Sequence, residues 1–172
     1  MKVRKEFFHM STTDKIISNI ISQEGGFVND PNDHGNRTIF GISEKANPDA
    51  WRNGPPTQEQ ARQIYINKYV KGPGFDKVYD THLQAQLVDF GVNSGPGIAV
   101  QKLQEILHVA VDGVLGPATL AAVEKVLLTD ATALNNQLVA ARIKMICKIV
   151  QRDPSQVKFL LGWCSRSLEF ME

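Results

Sequence analysis

The sequence predicts an α+β fold, mostly α-helical, with a small β-hairpin or meander near residues 27–43. Three observations carry this. Apolar residues recur at helical spacing in several stretches, first as Ile16, Ile17, Ile20 and Ile21. The segment between Phe27 and Ser43 loses that period and turns to Asn, Asp, Pro and Gly, followed by "RTIFGIS", which reads as a short strand. Helical spacing then returns and persists to the C-terminus, an arrangement that segregates the β element from the helices.

Each element has its own signal. Ser11 and Asp14 fit a capping box ahead of the first helix, whose isoleucine stripe lands on Glu24 when continued by three or four residues. Gly25 follows where a left-handed helix end is expected. Thr57 and Gln60 form a second capping box, and Ala61, Ile64, Tyr65 and Val70 mark a helix near 57–70 that "KGPGF" ends. Leu83, Leu87 and Phe90 place a third helix over about Asp80 to Val92, broken by "NSGPG". A fourth runs from about Ile98 to Leu107. "VDGVLGP" is a turn with Pro117 at a first helical position. Further helices are expected near 117–128 and 131–151, and Pro154 opens a last segment.

Composition narrows the function. The chain has 172 residues, 42% hydrophobic and 22% charged, enough for a real core. Its formal net charge of +1 lacks the basic excess of a phosphate-tracking protein, so no nucleic-acid partner is expected. No run reaches about 18 apolar residues, so no membrane insertion is expected. The basic start "MKVRKEFFHM" lacks the apolar core and cleavage site of a secretory signal, and residues 1–10 read as a flexible leader. Residues 11–172 read as one domain, a catalytic segment over about 11–95 and a helical part over about 96–172. Cys147 and Cys164 are expected as reduced, mostly buried thiols. His9, His34, His82 and His108 are scattered, without zinc-ligand spacing, so no metal or other cofactor is expected.

The residues that carry chemistry cluster near the front. Hydrolysis of a glycosidic bond needs a protonated carboxyl for the leaving oxygen and, in many enzymes, a second carboxylate that stays ionised. Glu24, at the end of an apolar stripe, has surroundings that raise a carboxyl pKa. Asp33, inside "NDPNDHGN", sits in a polar turn. Thr38 can orient a water or a sugar hydroxyl, and the glycines behind Glu24 leave room for a ring. Each residue also has an ordinary role: a solvated helix end, an Asx turn, a strand former.

The stretch "EGGFVNDPNDHGNRTIFGIS", Glu24 to Ser43, closely resembles the signature of the phage-type N-acetylmuramidases (endolysins) of glycoside hydrolase family 108. That resemblance implies a lysozyme-like fold with Glu24 as catalytic acid. The run of Glu24, eight residues, Asp33, four residues and Thr38 is similar to the Glu-Asp-Thr site of related phage lysozymes, where the last gap is one residue longer. Asp33 and Thr38 then hold the attacking water or shape the site. Where the family has Gly-Gly-Ala-Thr, this chain has Gly35-Asn36-Arg37-Thr38, and Arg37 engages a peptidoglycan carboxylate or faces solvent. Ser43 replaces a usual Thr.

"LVDFGVNSGPG" is similar to the family's Phe-Asp-x-Ala-Val-Asn-Ser-Gly segment, which implies that Asn93 contacts a sugar and that Asp89 joins an internal hydrogen-bond network. "VAVDGVLGPATLAAV" looks like the Asp-Gly-x-x-Gly-Pro-x-Thr element of peptidoglycan-binding modules, or serves only as a helix-packing unit. Phe27, Phe40, Tyr65 and Trp51 are candidates to line a sugar cleft, with Trp51, in the loop "NPDAWRNGPP", expected to be the exposed one.

The expected activity is hydrolysis of the β-1,4 bond between N-acetylmuramic acid and N-acetylglucosamine in peptidoglycan, by a monomer. The alternatives are a lytic transglycosylase and a catalytically silent peptidoglycan-binding protein. The family and the absent export signal together imply synthesis in an infected bacterial cytoplasm and release by a holin-like membrane partner.

Overall fold

The computed structural model describes residues 12–23, 26–29 and 37–172. They form two compact units, one running to Lys68 and one from Tyr69 to Glu172. The fold is α+β, mostly helical and lysozyme-like, with one small antiparallel sheet.

In the first unit, α1 (Thr12–Gln23) packs against α2 (Gln58–Ile66). Ile17, Ile20 and Ile21 of α1 are buried, and the isoleucine stripe is therefore a core stripe. Ser11 lies outside the described residues, so its half of the first capping box does too. Asp14 forms an ion pair with Arg62 of α2. The second capping box is complete: the Thr57 hydroxyl accepts from the Gln60 amide at 3.2 Å, and the Gln60 side chain accepts from the Thr57 amide at 2.7 Å. A π-helical turn, Asn67–Lys71, continues α2.

Between these helices lies a meander of β1 (Val28–Asn29), β2 (Arg37–Ile39) and β3 (Ile42–Ser43), in that spatial order. "RTIFGIS" is therefore a hairpin and not a single strand. Thr38 faces Ser43 and Ile39 faces Ile42, which leaves a two-residue loop, Phe40-Gly41. Both loop residues have positive φ, 52° and 70°. That is the handedness a tight hairpin needs to match strand twist. Phenylalanine is an unusual residue there, since its Cβ crowds the following carbonyl by about 1–2 kcal/mol. The Tyr65 hydroxyl of α2 donates to the Phe40 carbonyl at 3.2 Å and helps hold the turn.

In the second unit, α3 (Thr81–Ser94) is buried nearly all round, from Leu83 to Gly91. Asp80 caps it by accepting from the Leu83 amide at 2.7 Å. It packs against α4 (Pro96–Leu107) and α5 (Pro117–Arg152), and α5 packs against α6 (Val157–Leu168). The two helices expected near 117–128 and 131–151 are the halves of α5. They meet at Asp130, whose φ of −156° breaks the helix and whose carboxylate caps the second half through the Ala133 amide at 2.8 Å.

Asp89 lies deep in this unit, 3% exposed. Arg142 of α5 donates to its Oδ2 at 2.7 Å. Arg166 of α6 grips its Oδ1 through Nε at 2.8 Å and Nη2 at 2.7 Å. The Arg142 guanidinium also sits 5.0 Å over the Phe90 ring. The expected network thus ties three helices through one carboxylate.

The Asp-Gly-x-x-Gly-Pro-x-Thr element is organised by a buried amide. Gln104 of α4 donates through Nε2 to Asp112 Oδ1 at 2.7 Å, to the Val114 carbonyl at 3.0 Å and to Thr119 Oγ1 at 3.1 Å. Its Oε1 accepts from the Gly113 amide at 2.9 Å. Gly113 has φ of 75°, and a Cβ there would meet the Gly97 carbonyl at 3.3 Å. Pro117 is at the first turn of α5, as its fixed φ favours.

The cysteines differ from expectation. Cys147 is exposed, because it projects from the outer face of α5, and Cys164 is half-buried; both are free. Asp89→Ala is expected to cost about 3–5 kcal/mol, because it leaves the fully buried Arg142 without its counter-ion. Arg166→Gln, at a half-exposed partner, should cost under about 1 kcal/mol. Chemical denaturation of both variants measures the difference, and equal losses would show that burial of Arg142 does not set the cost.

Candidate functional site

Glu24 and Asp33 lie outside the described residues. The structure places what flanks them in the chain. α1 ends at Gln23, and the chain is next described at Gly26, where a Cβ would meet nothing within 4 Å. β2, which follows Asp33, holds Thr38 in the central strand of the sheet, paired with Val28 on one side and Ser43 on the other. Two ladders fix the Thr38 backbone.

Arg37 precedes Thr38 and faces the other way along the pleat. Its guanidinium makes a two-pronged ion pair with Glu44, Nε to Oε2 at 2.8 Å and Nη2 to Oε1 at 2.6 Å. These bonds hold the Glu44 carboxyl below its ordinary value and raise Arg37 further. The guanidinium also lies 5.1 Å over the Trp51 ring. Any ligand carboxylate reaching Arg37 competes with Glu44 for the same donors.

Trp51 is the clear departure from expectation. It is 4% exposed, in a 3₁₀ turn (Pro48–Trp51), and its Nε1 donates to the Ile42 carbonyl at 3.3 Å. That bond and the cation above its ring turn it inward, under the hairpin. The exposed aromatic of this cluster is Phe27, at 53%, with its ring centroid 6.4 Å from that of Trp51. Tyr65 is buried and Phe40 half-buried. The structure thus brings Arg37, Trp51 and Phe27 together beside Thr38.

Asn93 belongs to the second unit. It is exposed in the last turn of α3, and its Nδ2 donates to the Asp89 carbonyl at 2.7 Å. It borders a cavity of about 100 Å³ with Trp163 and Arg166.

Glu44 was not foreseen from the sequence. The signal was present in the hairpin register, which sets residue 44 across from residue 37 once the two-residue turn is recognised. The Glu44 amide donates to the Arg37 carbonyl at 2.9 Å.

Comparison with known proteins identifies the frame in which these residues sit. Residues 17–95 match the family model Glycosyl hydrolase 108. The solved structure of Brucella abortus SagA is 30% identical, with a TM-score of 0.65, over 92% of this chain and 95% of that one. The chain belongs to glycosyl hydrolase family 108. Residues 98–168 match a second model, Predicted Peptidoglycan domain. This family 108 protein is accordingly a glycoside hydrolase that acts on peptidoglycan. No curated protein matches the chain. The first match extends past the structural division at Lys68, so α3, with Asn93, is matched as hydrolase yet belongs to the second unit.

The Arg37–Glu44 pair gives a pH test. The folded-state pKa of Glu44 lies below its ordinary 4.5. Its stabilisation is therefore complete above that value and is lost as pH falls through the lower, folded value. The melting-temperature gap between wild type and Arg37→Gln should be constant from about pH 7 to 5 and close at lower pH. A gap independent of pH would show that the pair adds nothing in solution.

Proposed function

We propose that this family 108 hydrolase is an N-acetylmuramidase in which Glu24 is the general acid. It protonates the oxygen of the β-1,4 bond between N-acetylmuramic acid and N-acetylglucosamine as that bond breaks. Asp33 assists the water that attacks the anomeric carbon, and Thr38 positions that water.

The observation that supports this best is the order Glu24, Asp33, Thr38 within the residues matched by the hydrolase model. Physical chemistry adds two arguments. The isoleucine stripe of α1 is buried, its spacing in the sequence continues to position 24, and an apolar neighbourhood there would favour a protonated carboxyl. That acts in the direction a general acid needs. Thr38, fixed on both sides within the sheet, has the rigidity that positioning a water requires.

Asn93, Arg37 and Trp51 act on substrate in this reading at different removes. Asn93 keeps its side-chain carbonyl for a sugar hydroxyl or amide. Arg37 exchanges Glu44 for a substrate carboxylate, and Trp51 supports the guanidinium from below. If Asp33 serves as base for water, the reaction inverts at the anomeric carbon.

Glu24→Gln should keep the fold and reduce release of reducing ends from purified peptidoglycan by at least about a hundredfold. Mass spectrometry of the fragments adds the second readout. Hydrated muramic acid ends support the muramidase, whereas anhydro-sugar ends would make the enzyme a lytic transglycosylase. Undiminished release by Glu24→Gln would remove Glu24 from the chemistry.

A further inference from the structure

Helices α4 and α5 leave a groove of about 530 Å³ between them. Lys102 and Glu105 stand on its α4 side. Lys144, Lys148 and Arg152 stand on its α5 side, at steps of four residues, above the small Ala140. Steps of four put the three cations on one helix face, spread over about 12 Å.

This row is not explained by the fold. Like charges four apart on a helix repel by a few tenths of a kcal/mol per pair. Helix-dipole compensation reaches the last turn, where Arg152 is, but not Lys144 two turns inside. Lys102 is satisfied by Glu105 at 2.6 Å and 2.7 Å. Among the described residues, no ion pair reaches Lys144, Lys148 or Arg152. The chain as a whole carries only +1, so the groove concentrates charge that the rest of the protein lacks.

We propose that this groove binds the carboxylates of peptidoglycan stem peptides and holds the wall polymer on the C-terminal unit. The proposal rests on the reading that the chain acts on peptidoglycan, and adds where and through which part of that polymer it is held. Among the described residues, no aromatic ring lines the groove, so they offer nothing to stack on a sugar face. What they offer is a line of ammonium and guanidinium donors, the complement of anionic groups repeating along a flexible peptide. About 12 Å spans three or four residues of extended peptide, enough for two carboxylates.

The test uses the full-length protein and the triple variant Lys144→Gln, Lys148→Gln, Arg152→Gln, with circular dichroism to verify folding. Both are sedimented in the cold with insoluble peptidoglycan freed of phosphate-bearing polymers, and with the same material after its carboxyls are amidated. The triple variant should bind the unmodified material about tenfold more weakly. In an Arg37→Gln background, which removes the other proposed carboxylate contact, amidation should bring the protein with an intact groove down to the level of the triple variant and leave the triple variant unchanged. Equal binding by both proteins would overturn the proposal. So would wild-type binding that survives amidation, or that requires the phosphate polymers to be left in place. The amidation arm, run in the Arg37→Gln background, stands even if the triple substitution unfolds. Reducing ends are scored separately. Charge-dependent binding without their release would count against the hydrolase reading alone, and release with charge-independent binding against the groove alone.

Discussion

The second unit depends on one buried carboxylate. Asp89 takes hydrogen bonds from Arg142 and Arg166, and so sets the spacing of α3, α5 and α6 at one point. A lone carboxylate at 3% exposure would be intolerable as an anion, and Arg142, equally buried, would be intolerable as a lone cation. Together, with Arg166 reaching in from a more exposed position, they leave no lone charge inside. The arrangement is weak evidence for stability, since an apolar substitute could pack as well. Its consequence is registry. Helices joined only by leucine and valine can slide, whereas three helices that must meet at two carboxylate oxygens cannot. Asn93 lies one turn beyond Asp89 and donates to its carbonyl, so the end of α3 inherits that registry.

The first unit has a different constraint, the backbone handedness at Phe40-Gly41. A two-residue loop with positive φ at both positions closes the hairpin and sets residues 37 and 44 opposite each other. From that register follow the Arg37–Glu44 pair and the guanidinium over Trp51. The same register places Thr38 between two ladders. Tyr65 from α2 and Trp51 from the 3₁₀ turn each donate to a hairpin carbonyl, so the surrounding elements hold the turn in a conformation phenylalanine does not favour.

These two constraints explain which parts of the molecule could be read from the sequence. Helices were legible because their signals are local: the Thr57–Gln60 box, the apolar spacing of Leu83, Leu87 and Phe90, and Pro117 at a first turn all act within a few residues. The β element was legible as a hairpin or meander, but the turn inside "RTIFGIS" was not, because Phe-Gly lacks the Asn-Gly chemistry that announces such a turn. Once "RTIFGIS" is read as one strand, Glu44 falls out of register and its pairing with Arg37 is invisible. Trp51 failed for a related reason. Its local sequence, with Pro48, Arg52 and Gly54 around it, describes a surface loop, and only the fold supplies the Ile42 carbonyl that draws the indole inward. Asp89 was legible through the resemblance of its segment to the family's, although nothing local said that its partners would be Arg142 and Arg166.

The Asp-Gly-x-x-Gly-Pro-x-Thr element and the groove beside it divide the work of the C-terminal part. Asp112 spends its carboxylate on Gln104 and the Val114 amide, which holds its pKa below the ordinary value. Gly113 supplies a positive φ, Pro117 starts α5, and Thr119 is buried with its hydroxyl against Gln104. The polar side chains of this element are turned to one another and to Gln104, so its recurrence is accounted for by the turn it builds between α4 and α5. That turn in turn fixes how the two helices lie side by side, and hence the width of the groove between them. The motif therefore serves recognition at one remove. It shapes the groove, and the cations that face the groove come from positions of α5 that the motif does not contain.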